Sequence, residues 1–339
     1  MKLVVFGPFK RLGGLLLDGG IVDLNLAYGE YLKNRRRVRP EAQADLELPA
    51  KLEDFLEVGD SALEAARKAL SYAERKKGSL ITRPEEVKIW APLSSLGTKI
   101  ACAGSNFADH GAGAIAAQQG RRVMQADIDQ IMKETEEGKH PQWGFWKMAR
   151  CVIGPDENMV YPSRTRHLDY EAELVAVIGK KGKNIPNNEK AMDYVFGYTG
   201  FNDWSIRDDV PSGSPADWVF FKNFDTAASL GPCIVTKDEI PDPYNVKLEL
   251  WLNGELRQNA KTNLMMRKFP AWISYVSRDF TIYPGDMFAS GTCSGTAMDT
   301  TPRPKSGPVP TGRFVKVGDV VEIRVEYIGS MKNKVIAEK

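Results

Sequence analysis

A chain of 339 residues that is 42% apolar and 27% charged can bury a sizeable core, and its length suggests about two domains. A net charge of +2 gives no field that would favour nucleic acid or an anionic membrane, and no apolar run approaches the ~20 residues of a membrane span. The four cysteines, Cys102, Cys151, Cys233 and Cys293, form no Cys-x-x-Cys pair and no Cys/His cluster, which argues against a thiolate zinc site and suits a reducing compartment.

The chain begins with "KLVVF", a strand pattern cut short by Gly7, Pro8 and Lys10, so a signal peptide is not expected and a cytoplasmic location is. Residues 1–85 read as a small N-terminal α/β accessory unit. "KLVVF" and "GLLLDGGIVDL" are strand-like, with Asp18-Gly19-Gly20 as a hairpin turn. Helices are expected around 26–36 and 60–77, the second opened by Asp60 or Ser61 and stopped by Gly78. The basic run Arg35-Arg36-Arg37 reads as a solvated surface.

Residues 86–339 are expected to form the larger, β-rich unit. "KIWAPLSS" and "KIACAGSN" are strand-like, residues 108–140 carry helical spacing, and strands dominate after residue 150. Asn253-Gly254 marks a hairpin, and the proline-rich 300–313 stretch predicts a surface loop. The predicted class is α+β.

The chemistry concentrates in "HLDYEAELVAVIG", residues 167–179. Period-two alternation puts Glu171 and Glu173 on one strand face, which continues as the apolar Val175 and Val177. Two carboxylates on a buried face repel and lose hydration unless a cation joins them; on a solvated face they need none. Carboxylate-only ligation would favour a hard ion. Asp203, in "YTGFNDWSIRDD", is the candidate third acid, and its alternative is an ordinary turn or cap. Lys222, after two phenylalanines, is either an anion binder held in apolar surroundings or a snorkelling surface lysine. Of three histidines, His110 stands at a strand-to-helix junction rich in small residues, whereas His140 and His167 read as linker and surface.

Taken in order, "GSNFADH", "DYEAELVAVIGK", "GYTGFNDWSIRD", "KNFDTAASLGP", "GDMFASGT" and "VGDVVEIRVEYIGSMKNKV" resemble the fumarylacetoacetate hydrolase family across residues 98–338. The resemblance implies a mixed β-roll of stacked sheets with a smaller N-terminal domain, and a homodimer. It implies that Glu171, Glu173 and Asp203 hold one Mg²⁺ or Mn²⁺, that Lys222 grips the substrate's enolate or carbonyl oxygen, and that Thr292 meets its carboxylate end. Arg207 would touch substrate at the edge of the site, and His110 would activate water. The implied reaction is hydrolysis of a C–C bond in a 2,4-diketo acid, giving a 2-oxo acid and a carboxylic acid. One position departs from the pattern: where hydrolytic members carry a glutamate three residues after the histidine, this chain has Gly113. Glu134, Glu136 or Glu137 could replace that carboxylate; without one, a lyase on the same scaffold is the alternative. A ligand-binding protein without catalysis is the third reading, disfavoured by retention of all four charged residues. Trp143, Phe145 and Trp146 are candidate pocket walls.

Overall fold

Among the strands expected after residue 150, Ala172–Ile178, Val195–Asp203, Ala228–Thr236 and Met287–Ala289 join the N-terminal strands in one sheet. The computed structural model describes residues 1–76, 78, 80–208 and 217–338. Residue 77, the last of the expected 60–77 helix, and Asp209, the last acid of the 198–209 segment, lie outside them.

The main sheet is 12-stranded among the described residues, and its centre is the antiparallel run Ala228–Thr236, Val195–Asp203, Ala172–Ile178 and Met287–Ala289. Lys99–Ala103 then joins in parallel and Gly144–Met148 forms the edge. On the other side Lys2–Phe6 pairs with Ala228–Thr236, so the N-terminal hairpin extends the same sheet. A second, 5-stranded sheet contains the Asn253-Gly254 hairpin, Lys247–Leu252 and Glu255–Lys261.

The Ala172–Ile178 strand is buried on both faces. Leu174, Ala176 and Ile178 enter one core cluster, while Val175 and Val177 enter another with Phe201, Met287, Leu3 and Phe55. Burying each large apolar side chain contributes roughly 1.5–3 kcal/mol, so this strand is anchored from both sides before its acids are considered. The second cluster also holds Leu24 and Ala66, so residues 1–85 and the remainder share a sheet and a core. Helices Leu24–Asn34 and Asp60–Lys76 match the expected spacing, and two short ones, Pro40–Glu47 and Leu52–Val58, lie between them. At seven and eight residues these fill barely two turns, too little for a periodic signal. "KIWAPLSS" supplies only the two-residue strand Ile89–Trp90. The 300–313 stretch carries no strand, and its only helical residue is Thr300, the end of a short helix. No described helix is long and apolar enough to cross a membrane.

Candidate active site

Glu171 stands just before the Ala172–Ile178 strand, and Asp203 ends its neighbour, Val195–Asp203. The register sets Ala172 opposite Asn202 and Glu173 opposite Phe201, and Asp203 N–H donates to Glu171 O at 2.9 Å. Alternation therefore brings Glu171, Glu173 and Asp203 to the same face, as direct and next-but-one neighbours. All three are buried, and their ligand atoms lie within 4.8 Å of one another.

Three buried cations surround them. Lys222, at the end of the Asp217–Lys222 helix, is 2% exposed, which rules out the snorkelling alternative. Its Nζ donates to Glu171 Oε2 at 2.6 Å, Asp203 Oδ2 at 2.8 Å and Ser205 Oγ at 2.6 Å. Arg207 donates through Nη2 to Glu171 Oε1 and through Nε to Asp169 Oδ2 at 3.2 Å. Lys147 donates to Asp203 Oδ1 and to Trp204 O at 3.0 Å. Sequence reasoning missed Lys147, because a lysine between exposed Trp146 and Met148 on an edge strand reads as a solvated edge charge; its alternation with those two residues was the available signal.

Burial alone would raise the Glu171 carboxyl, but Lys222, Arg207 and His110 outweigh it and hold the pKa below the carboxylate range. Glu173 goes the other way: burial, then the charges of Asp203 and Glu171, push it well above that range. It accepts Gly291 N–H at 3.0 Å. Glu173 is thus the acid whose charge the protein's own cations least offset, and a hard cation among these oxygens would relieve it. The donor set fits such an ion.

Above the acids, His110 lies buried on the helix Ala108–Gln118. Its carboxylate partner is Asp299, whose Oδ2 is 2.9 Å from Nδ1. The glutamates considered from sequence do not take that part: Glu134 is bonded to His140 instead, at 2.8 Å, and Glu136 and Glu137 have no bond to His110. Burial disfavours the charged imidazole, yet the bond to Asp299 and its charge overcome this and raise the His110 pKa. Gly113 now has a steric reason: a Cβ there would lie 2.9 Å from Asp299 Cβ. The helix is bare at 113 because the carboxylate arrives from the other side.

Asp299 belongs to the short helix Ala297–Thr300 and accepts Gly295 N–H at 3.1 Å. Asp169 holds the start of that helix, accepting Ala297 N–H at 2.7 Å and Met298 N–H at 3.1 Å while also bonding Arg207. It thereby fixes the base end of the site to the acid end. Asp169 and Asp299 were both missed; each acts through contacts more than a hundred residues away in sequence. His167 is half-buried rather than on the surface and bonds Asp208 at 3.0 Å.

The two ends enclose a cavity of about 50 Å³ lined by His110, Glu171, Glu173, Arg207, Lys222 and Thr292, with Trp143, Phe145 and Met298 as walls. Trp146 is not among them; it faces outward against Phe280. Thr292 Oγ1 donates to Ala172 O at 3.1 Å and accepts from Gln258 at 2.9 Å. With Nδ1 held by Asp299, Nε2 is the His110 nitrogen available to a substrate.

The chain is similar to known proteins along most of its length. A mitochondrial oxaloacetate tautomerase of Xenopus laevis is 36% identical over 341 residues, covering 99% of this chain and 90% of the relative. The fumarylacetoacetate hydrolase of psychrophilic Exiguobacterium antarcticum superposes with a TM-score of 0.69 at 26% identity, covering 100% of both chains. A 2-hydroxyhepta-2,4-diene-1,7-dioate isomerase of Mycobacterium marinum gives 0.57 at 27%, covering 77% of this chain and 82% of that one. Residues 99–336 match the family described as fumarylacetoacetate hydrolase, C-terminal. The chain belongs to the fumarylacetoacetate hydrolase family.

Proposed function

We propose that this protein is a divalent-metal-dependent enzyme that interconverts the keto and enol forms of a small 2-oxo diacid of the oxaloacetate type. The observation that carries the reading is His110, bonded to Asp299, lining one small cavity together with Glu171 and Glu173. Glu171, Glu173 and Asp203 would hold one Mg²⁺ or Mn²⁺, ligand chemistry alone not choosing between them. When bound, the ion supplies Lewis-acid polarisation of the 2-oxo group.

The protein's own groups do the rest. His110 Nε2 takes a proton from C3, whose electron pair becomes the C2=C3 bond as the C2=O π pair moves to oxygen, and passes that proton to the C2 oxygen to give the enol; the return to the keto form runs the same transfers backward. Asp299 keeps the proton on Nδ1 and balances the imidazolium that forms. Lys222 donates to the C2 oxygen as negative charge grows there. Thr292, its oxygen held by Gln258, meets the substrate carboxylate by turning its O–H from Ala172 O, while Arg207 braces Glu171 at the cavity wall.

The oxaloacetate relative, matched along nearly the whole chain, favours tautomerisation over the hydrolysis expected from sequence. Cleavage of a 2,4-diketo acid is the second reading, supported by the same pair, since a base that can deprotonate C3 can deprotonate water. The lyase alternative rested on a His110 without a carboxylate, and Asp299 supplies one. A homodimer and a cytoplasmic location complete the proposal.

Protein loaded with Mn²⁺ and mixed with oxaloacetate enol tests it by the decay of enol absorbance. Acceleration over the chelated protein is the expected result. No acceleration, with cleavage of an acylpyruvate instead, would replace tautomerase by hydrolase.

A further inference from the structure

Each of the four oxygens of Glu171 and Asp203 is held by a cation, and the four are not alike. Glu171 Oε1 belongs to Arg207, which is anchored again on Asp169 at 3.2 Å. Asp203 Oδ1 belongs to Lys147, anchored again on Trp204 O at 3.0 Å. The remaining two, Glu171 Oε2 and Asp203 Oδ2, are bridged by one ammonium, that of Lys222, at 2.6 and 2.8 Å. Its third donor goes to Ser205 Oγ at 2.6 Å, so all three N–H groups are engaged.

A divalent ion drawn to the triad needs an oxygen from each carboxylate. The outer oxygens each have a buried cation of their own, whereas the inner two share one, so an ion that takes the inner pair has a single ammonium to displace. Each of these oxygens keeps a second lone pair, but a divalent ion taking them would stand against the ammonium, so the two like charges compete for the pair.

We propose that Lys222 and the divalent ion exchange at this oxygen pair, so that binding of the ion releases the ammonium into the cavity and toward the substrate. The inference rests on the metal-site reading above. The released group has a surface to move along: the Phe145 ring, a cavity wall, lies 5.1 Å from Nζ, and an aromatic face favours a cation. Loading is then ordered. Until the ion arrives, the lysine that should meet the C2 oxygen has no free donor, so substrate binds productively only after the ion.

Calorimetric titration of Mn²⁺ into wild-type protein, Lys222→Met and Ser205→Ala tests this without any turnover. An ion that must displace a bound competitor binds more weakly by the fraction of protein in the competent state. Lys222→Met is therefore expected to bind Mn²⁺ at least tenfold more tightly than wild type, although it loses activity. Ser205→Ala removes one acceptor of the ammonium without altering any charge, and is expected to tighten Mn²⁺ severalfold. If Lys222→Met fails to fold, Ser205→Ala carries the test alone. Unchanged or weaker affinity in Ser205→Ala would overturn the exchange and reduce Lys222 to a charge acting at a distance. Equal Mn²⁺ heats in wild type and Glu171→Gln would instead overturn the metal site itself, and the exchange with it.

Discussion

The acid floor of the cavity comes from two adjacent strands, and the three acids follow from register alone: Glu171 and Glu173 two apart, Asp203 opposite. The base above it is assembled differently, from His110 on one helix and Asp299 on another 189 residues further along. The floor is stiff, its strand buried on both faces, Glu171 and Asp203 held by Lys147, Arg207 and Lys222, and Glu173 by Gly291 N–H. The base end depends on one hydrogen bond and on the helix Ala297–Thr300, tied down by Asp169. The difference separates two tasks. A cation site needs fixed oxygens, which a sheet supplies from local sequence. A proton-transfer group needs an orienting partner, which can come from any element that reaches it.

Breaking the floor should cost most. Glu171→Ala is expected to abolish Mn²⁺ binding and lower activity by about 10³-fold or more, the loss of several kcal/mol of charge stabilisation; calorimetry and enol decay measured together check both halves of that statement. His110→Ala should lower activity by about 10²–10⁴ while leaving the ion bound, which would show that the two regions fail independently.

Asp299→Asn sharpens the comparison, because it removes a charged hydrogen bond and keeps the base. The expected loss is about 10–10²-fold, from the roughly 1.5–3 kcal/mol of such a bond. It also has a pH signature. Asp299 raises the His110 pKa, and the neutral form is the active base, so activity should fall as pH drops through that pKa. Without the aspartate, the acid limb should move to lower pH; a profile with its limb unmoved would detach Asp299 from the base.

Gly113→Ala is the smallest perturbation. Its Cβ would press on Asp299 Cβ at 2.9 Å, so a severalfold loss of activity and about 1–3 kcal/mol of stability are expected, read by turnover and thermal melting. Wild-type behaviour there would mean that Asp299 shifts without consequence.

The same contrast explains what could be read from the chain. "YEAEL" put Glu171 and Glu173 on one face because period two is a local property, whereas Asp203 joined them only through the family resemblance, its own segment reading equally as a turn. Lys222 was visible beside them, with its burial left open, and the structure closed that choice. Gly113 was visible as a departure, but its cause was not: a side chain missing from one helix says nothing about which distant element fills the space. Lys147 hid in an edge strand whose flanking Trp146 and Met148 are exposed, and Asp169 hid because the helix start it holds offers only backbone N–H groups, far along the chain. Elements of five or more residues with clear periodicity were legible; helices of two turns and carboxylates recruited across the fold were not.

The central claim is that an ion-binding floor and an independent base act on one 2-oxo acid. It is tested most directly by the decay of oxaloacetate enol on Mn²⁺-loaded His110→Ala protein, with ion occupancy measured in the same sample. Full occupancy with acceleration reduced by about 10²–10⁴-fold is the predicted result. Undiminished acceleration at full occupancy would contradict it.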